Sequence, residues 1–196
     1  MPELDGGTTP FVLSALFRNS RGLLEFRMIP DRLERFAELV RKTADLKRKP
    51  NAEKKIAIVF YKGPGRNALN ASGLEVGESL LNTLKNLRDA GYRTGPLPET
   101  AAELNAQIQQ NAANFGRYAE GAMQEFAKSA ATGTITPEGY RDWVAKSMPA
   151  DLYQTVVERH GDFPGKYFRT AEGNLALGQL RFGNVILMPQ SLPGEG

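Results

Sequence analysis

The chain has 196 residues, 41% of them hydrophobic and 24% charged, with a formal net charge of +3. That length supports one α/β domain or two small ones with a real core. The absence of cysteine excludes disulfides and thiolate metal sites, and a single histidine excludes a multi-histidine metal centre.

Residues 1–10 are rich in Gly, Pro and Thr and read as loose. Phe11–Phe17 and Leu23–Met28 are apolar runs flanking the polar turn Arg18-Asn19-Ser20-Arg21-Gly22, which predicts a β-hairpin. Pro30 then stands where a first helical residue belongs, and Leu33, Phe36, Val40 and Ala44 follow at helical spacing. Asp31–Arg35, Glu38–Lys42 and Asp45–Lys49 are i,i+4 pairs with the acid first, the better orientation. This helix ends before Pro50.

Ile56-Ala57-Ile58-Val59-Phe60-Tyr61 is apolar without interruption. Such a run suits a strand buried on both faces, as in a parallel sheet covered by helices. A loop containing Gly63, Pro64 and Gly65 follows, and Ser72-Gly73-Leu74-Glu75 has the form of a capping box opening the next helix. Val76, Leu80, Leu84 and Leu87 form the stripe of that helix, with Leu81 beside them, and Gly91 ends it. Tyr92–Gly95 is expected as a short second parallel strand. Thr100-Ala101-Ala102-Glu103 is another capping box. Thr136-Pro137 and Met148-Pro149 open two further helices, so residues 100–160 read as a helical insertion. Strand character returns at Tyr167–Arg169, Leu175–Leu177 and Val185–Met188. The expected architecture is a three-layer Rossmann- or flavodoxin-like α/β core with a mainly parallel sheet, an N-terminal hairpin and that insertion. Residues 56–61 would be its central strand, paired in parallel with 185–188, and residues 1–196 would make one domain.

In open α/β sheets, ligands bind at the carboxyl ends of the strands. Lys62, Arg66, Asn67 and Asn70 lie on the loop leaving such an end, so they are the candidate ligand-binding residues, suited to carboxylates and amides. A loop that merely connects, with Asn supplying turn conformations, is the alternative. Gly63-Pro64-Gly65-Arg66-Asn67-Ala68 also fits G-x-G-x-x-G/A, but that fingerprint needs a helix starting within the motif. Here the helix start falls beyond Ala68, and Pro64 removes an amide that an anion would use.

His160 has no Ser or Cys nucleophile with a supporting acid near it in the sequence. Its place before Gly161 suits a cation at a helix C-terminus. Tyr140, Trp143 and Tyr153 are read as packing residues of the insertion. Residues 27–62 hold 11 Lys or Arg against 5 Asp or Glu. Without interleaved aromatics this reads as a cationic helix end and connector rather than a nucleic-acid surface. No uncharged apolar run approaches the roughly 18 residues of a membrane span, and Met1–Asp5 is not a signal peptide.

Several stretches, in order, resemble the CobN/magnesium-chelatase family, the large subunits of ATP-dependent cobaltochelatase and magnesium chelatase. They are Ile29-Pro30-Asp31-Arg32, Lys49-Pro50-Asn51-Ala52-Glu53-Lys54-Lys55 with the strand to Tyr61, Gly73-Leu74-Glu75-Val76 and Leu87-Arg88-Asp89-Ala90-Gly91-Tyr92. Tyr118–Ala122, His160-Gly161-Asp162-Phe163-Pro164-Gly165 and Phe182-Gly183-Asn184-Val185 through Gln190 continue the series. The loop departs from the Pro-Pro-x-x-Gly-Asn pattern of many members. The resemblance implies an internal piece of a far longer cytoplasmic chain that binds a tetrapyrrole, either a corrin precursor or protoporphyrin. Cobalt or magnesium would be the inserted metal. ATP and Mg would act through partner ATPase subunits, with no cofactor, metal or catalytic residue held by this piece. The family's His- and Glu-containing stretch associated with metal insertion would lie beyond it. A flavodoxin-like module for a small ligand or nucleotide, and a docking module for the ATPase subunits, are the alternatives.

Overall fold

The computed structural model describes residues 10–61, 70–71, 74–112, 120–129, 133–165 and 168–190. The chain divides into two compact units, Met1–Pro50 and Asn51–Gly196.

In the first unit, β1 (Ser14–Arg18) and β2 (Leu24–Met28) form the expected antiparallel hairpin, with Leu16 opposite Phe26. Asn19 closes its turn: the side-chain oxygen accepts the Arg21 and Leu23 amides at 2.9 and 3.0 Å. Asparagine suits this role because its short side chain can imitate a backbone turn. Helix α1 (Pro30–Arg48) begins with proline at its first turn, as expected. Lys42 and Glu38 pair at 2.7 Å, which holds the Glu38 carboxyl below its ordinary range. Asp45, however, turns back to Arg41 at 3.2 Å. No residue of α1 is buried. The ring of Phe36 meets that of Phe11 at 5.6 Å between centroids.

The second unit is built on a three-stranded sheet, β3 (Ile56–Phe60), β9 (Val185–Pro189) and β8 (Leu180–Phe182). β3 pairs in parallel with β9, Ile58 opposite Leu187, as expected from the sequence. The expectation of a central β3 is overturned: the order is β3-β9-β8, which puts β9 in the middle and β3 at an edge. The helices α2 (Val76–Asp89) and α3 (Ala101–Asn111) cover one face of the sheet. Their Leu80, Leu84, Leu104 and Ile108 pack with Phe60, Phe182, Val185 and Leu187 in one core. On the opposite face Val59 is 58% exposed. Among the described residues the core therefore has two layers, not three. An unbroken aliphatic run sets strand propensity, but it does not say whether a second layer covers the other face.

Two other local expectations fail. Tyr92–Gly95 is not a strand; Arg93 is held through its carbonyl by the Asn184 amide at 2.8 Å. The capping box at Ser72–Glu75 does not form as expected. Glu75 itself is the N-cap of α2, without a side-chain bond, and ends a short ladder of β4 (Asn70–Ala71) with β5 (Leu74–Glu75). Strand pairing has taken the backbone that the cap needed; Ser72 lies outside the described residues. The other end of α2 follows expectation. Tyr92 N donates to Leu87 O and Gly91 N to Arg88 O, with Gly91 at φ +83°. This paired closure needs the left-handed conformation that glycine adopts without strain.

The helical excursion contains α4 (Glu120–Ser129), α5 (Pro137–Ser147) and α6 (Ala150–His160) after α3. β6 (Thr134–Ile135) interrupts it and pairs antiparallel with β7 (Leu175–Ala176). Thr100 Oγ1 accepts Glu103 N at 3.2 Å, and Thr136 Oγ1 accepts Gly139 N at 3.1 Å, each capping its helix. A second, smaller core joins Phe126, Ala127 and Ala176, with Phe168 packed against it.

Candidate functional site

Because β3 and β9 run in parallel, both end at one edge, where Gln190 N donates to Phe60 O at 2.8 Å. The loop with the four candidate residues leaves from here. Lys62, Arg66 and Asn67 lie outside the described residues, and Asn70 is placed only through its backbone, opposite Glu75 in the β4–β5 ladder. The described structure does bear on the glycine fingerprint. Among the described residues the first helix after it is α2, beginning at Val76, while Gly63 to Ala68 themselves lie outside them. Where α2 starts, Gly77 lets α3 approach closely: a Cβ there would lie 2.5 Å from Asn105 Oδ1, a buried oxygen with no partner among the described residues.

The opposite, amino-terminal edge of the sheet gathers many residues of the family-like stretches, and there they do structural work. Asn184 donates from Nδ2 to Ala52 O at 3.0 Å and from its amide to Arg93 O, and its carbonyl accepts Ile56 N at 3.0 Å. Asn51 donates to Ala90 O at 2.8 Å and accepts from Lys54 Nζ at 2.8 Å. The Lys54 ammonium sits 5.8 Å over the Tyr92 ring. One edge is thus tied together by backbone-directed side chains, and the other carries the loop.

A third feature lies in the helical excursion. Tyr140 on α5 stacks on Phe163 at 4.2 Å and 16°, with Trp143 at 6.0 Å and Tyr153 at 6.3 Å. Trp143, expected as a packing residue, is 59% exposed. An open groove of about 380 Å³ runs beside it, lined by Thr134, Ile135, Thr136, Gly139, Tyr140 and Trp143. An adjoining cleft of about 140 Å³ shares Tyr140 and includes His160 and Asp162. Asp162 Oδ1 accepts the Tyr153 hydroxyl at 3.3 Å and the Phe163 amide at 2.8 Å. Partial burial, then the Asp162 charge, push the Tyr153 phenol above its ordinary range. His160 is the last residue of α6, as expected. The sequence signal for the groove was an i,i+3 aromatic pair on an otherwise polar helix. Helical spacing alone could not tell whether that pair faced a core or solvent. Among the described residues, no three His, Asp or Glu side chains converge to hold a metal ion.

Sheet, helical excursion and groove together define a mixed α/β module with a two-layer core. The chain belongs to the CobN/Magnesium Chelatase family, whose profile matches residues 1–196. It is 30% identical over 198 residues to a magnesium-chelatase subunit of Chlorobaculum parvum, covering 95% of this chain and 13% of that protein. It is 30% identical over 191 residues to the aerobic cobaltochelatase CobN of Pseudomonas aeruginosa, covering 93% and 15%. Among solved structures, the catalytic subunit of cobaltochelatase from Mycobacterium tuberculosis matches with a TM-score of 0.71 at 30% identity. That alignment covers 100% of this chain and 15% of the other. The chain therefore spans about one-seventh of the length of these relatives.

Proposed function

We propose that this chain is part of the large, tetrapyrrole-binding subunit of an ATP-dependent metal chelatase, inserting cobalt into a corrin precursor or magnesium into protoporphyrin. The observation that carries this reading is the family match over residues 1–196, with 30% identity over 95% and 93% of the chain to a magnesium-chelatase and a cobaltochelatase subunit. The inserted metal is a substrate, and ATP acts with Mg through separate ATPase subunits. The protein works in the cytoplasm. Among the described residues no helix is long and apolar enough to cross a membrane.

Within that reading, the loop from Lys62 to Asn70 contributes to tetrapyrrole binding at the carboxyl edge of the sheet. Arg66 grips a rim carboxylate bidentately, Lys62 supplies a second charge, and Asn67 and Asn70 meet amides. A charge-assisted contact is worth about 1.5–3 kcal/mol, so Arg66→Ala should weaken tetrapyrrole binding roughly ten- to a hundredfold. The test uses the full-length subunit at fixed salt, with affinity followed by fluorescence quenching. An unchanged dissociation constant makes the loop a connector. The enzymatic reading is tested by adding ATPase subunits, ATP and either metal to that full-length subunit and assaying insertion into each tetrapyrrole. A thermal shift with nucleotides or flavins but not with carboxylated tetrapyrroles would favour a nucleotide module instead.

A further inference from the structure

We propose that the open groove beside Tyr140 and Trp143 is a stacking site for the flat face of a tetrapyrrole. This rests on the reading of the chain as a chelatase large-subunit segment and names a place for the ring within it.

The groove combines features that suit a planar conjugated ring. None of the described residues lining it carries a formal charge, so they demand no ionic partner. Tyr140 cannot swing freely, because Phe163 is stacked on it at 4.2 Å. A held aromatic surface loses little entropy when a second ring lies against it. Trp143 presents the largest aromatic surface of any side chain and remains 59% exposed in a position where a core residue would be covered. Ile135 supplies an aliphatic wall from β6, and the Thr134 hydroxyl provides a polar rim. At about 380 Å³ and open to solvent, the groove takes one face or edge of a macrocycle and leaves the rest accessible.

The adjoining cleft adds two ionisable side chains, His160 and Asp162, to a largely apolar lining. Its carboxylate, Asp162, is already engaged by the Tyr153 hydroxyl and the Phe163 amide. His160 lines the same cleft and offers an imidazole donor toward a carboxylate or amide on the ring periphery. The groove for the ring thus lies next to a cleft in which His160 can meet a substituent, with Tyr140 shared between them.

Trp143 is the only tryptophan of the chain, so its fluorescence reports on this groove and nowhere else. The experiment titrates the 196-residue protein with a metal-free dicarboxylate porphyrin, following Trp143 quenching and, separately, the porphyrin absorption band. Saturable quenching that tracks the absorption change is expected. Ile135→Asp, which keeps the reporter, and Trp143→Ala, followed by absorption, should each weaken binding about tenfold or more. Circular dichroism checks that both variants fold, and the exposed position of Trp143 makes its replacement the safer of the two. Porphyrin binding that neither quenches Trp143 nor responds to either variant overturns the groove and leaves the tetrapyrrole reading standing. Binding of ATP here in place of the porphyrin, with the full-length subunit also failing to bind porphyrin, overturns both.

Discussion

Asn184 and Gly183 form the two-residue turn between β8 and β9, and the amino edge of the sheet depends on them. Gly183 adopts φ +56°, and a Cβ there would lie 2.5 Å from the Arg93 carbonyl oxygen, a backbone atom with no rotamer to yield. Gly183→Ala should therefore cost about 2 kcal/mol or more, read as a lowered urea midpoint. Asn184→Ala removes only the side-chain bond to Ala52 O and should cost about 0.5–1.5 kcal/mol, leaving its backbone bonds in place. Equal losses from the two would refute the separation of backbone from side-chain roles. At the far end of the chain, Tyr153 titrates above its ordinary value of 10.0 through partial burial and the Asp162 charge. The fold thus favours the protonated phenol, and the contact is present below that ordinary pH and lost as pH rises through the higher value. Asp162→Asn should lower the Tyr153 midpoint, followed by phenolate absorbance. A midpoint that does not fall would remove Asp162 as a cause.

Among the elements, β3 is the informative one. Its residues alternate between a face packed by α2 and α3 and a face left open. Leu187 on β9 is fully buried, so Leu187→Ala should cost about 2–5 kcal/mol. Val59→Ala on the open face should cost under about 1 kcal/mol, the span of strand propensity. A strand covered on both sides would make Val59 expensive as well, so comparable losses would restore the three-layer arrangement. α1 is the contrasting case. Its ion pair Lys42–Glu38 is fully solvated, so its loss should leave the unfolding midpoint almost unmoved.

For the whole molecule, the first unit leaves much apolar side chain in water: Phe26 is 77% exposed, and Leu24 and Met28 on the same strand are also exposed. Exposed apolar side chains of this kind offer an apolar dye a surface to bind. Replacing Leu24 and Phe26 by Ser should reduce binding of an apolar dye without lowering the unfolding midpoint. A large loss of stability would mean that these side chains serve the unit's own packing. At the level of activity, the chain spans about one-seventh of its chelatase relatives, and its described residues offer no convergent metal site. On the proposed chelatase reading, these 196 residues with ATPase subunits should by themselves insert neither cobalt nor magnesium. Insertion by them alone would overturn that expectation.

Local chemistry was legible in the sequence wherever it is self-contained. The polar turn at 18–22, Pro30 opening α1, Thr100 as a cap, Pro137 opening α5 and Gly91 closing α2 all follow from bonds among neighbouring residues. The parallel partnership of β3 with β9 was also legible, because two apolar runs without polar alternation ask for each other. The motif order likewise pointed to the family that the whole-chain match establishes. Tertiary structure alone decided which face of β3 is covered, because α2 and α3 pack on one side and the described residues place nothing on the other. The start of α2 at Glu75 is set by local strand pairing instead, since the β4–β5 ladder runs up to that residue. Tertiary structure also decided that Trp143 faces a groove rather than a core. For β3 the deciding contacts come from helices distant in sequence, and no local propensity carries that information.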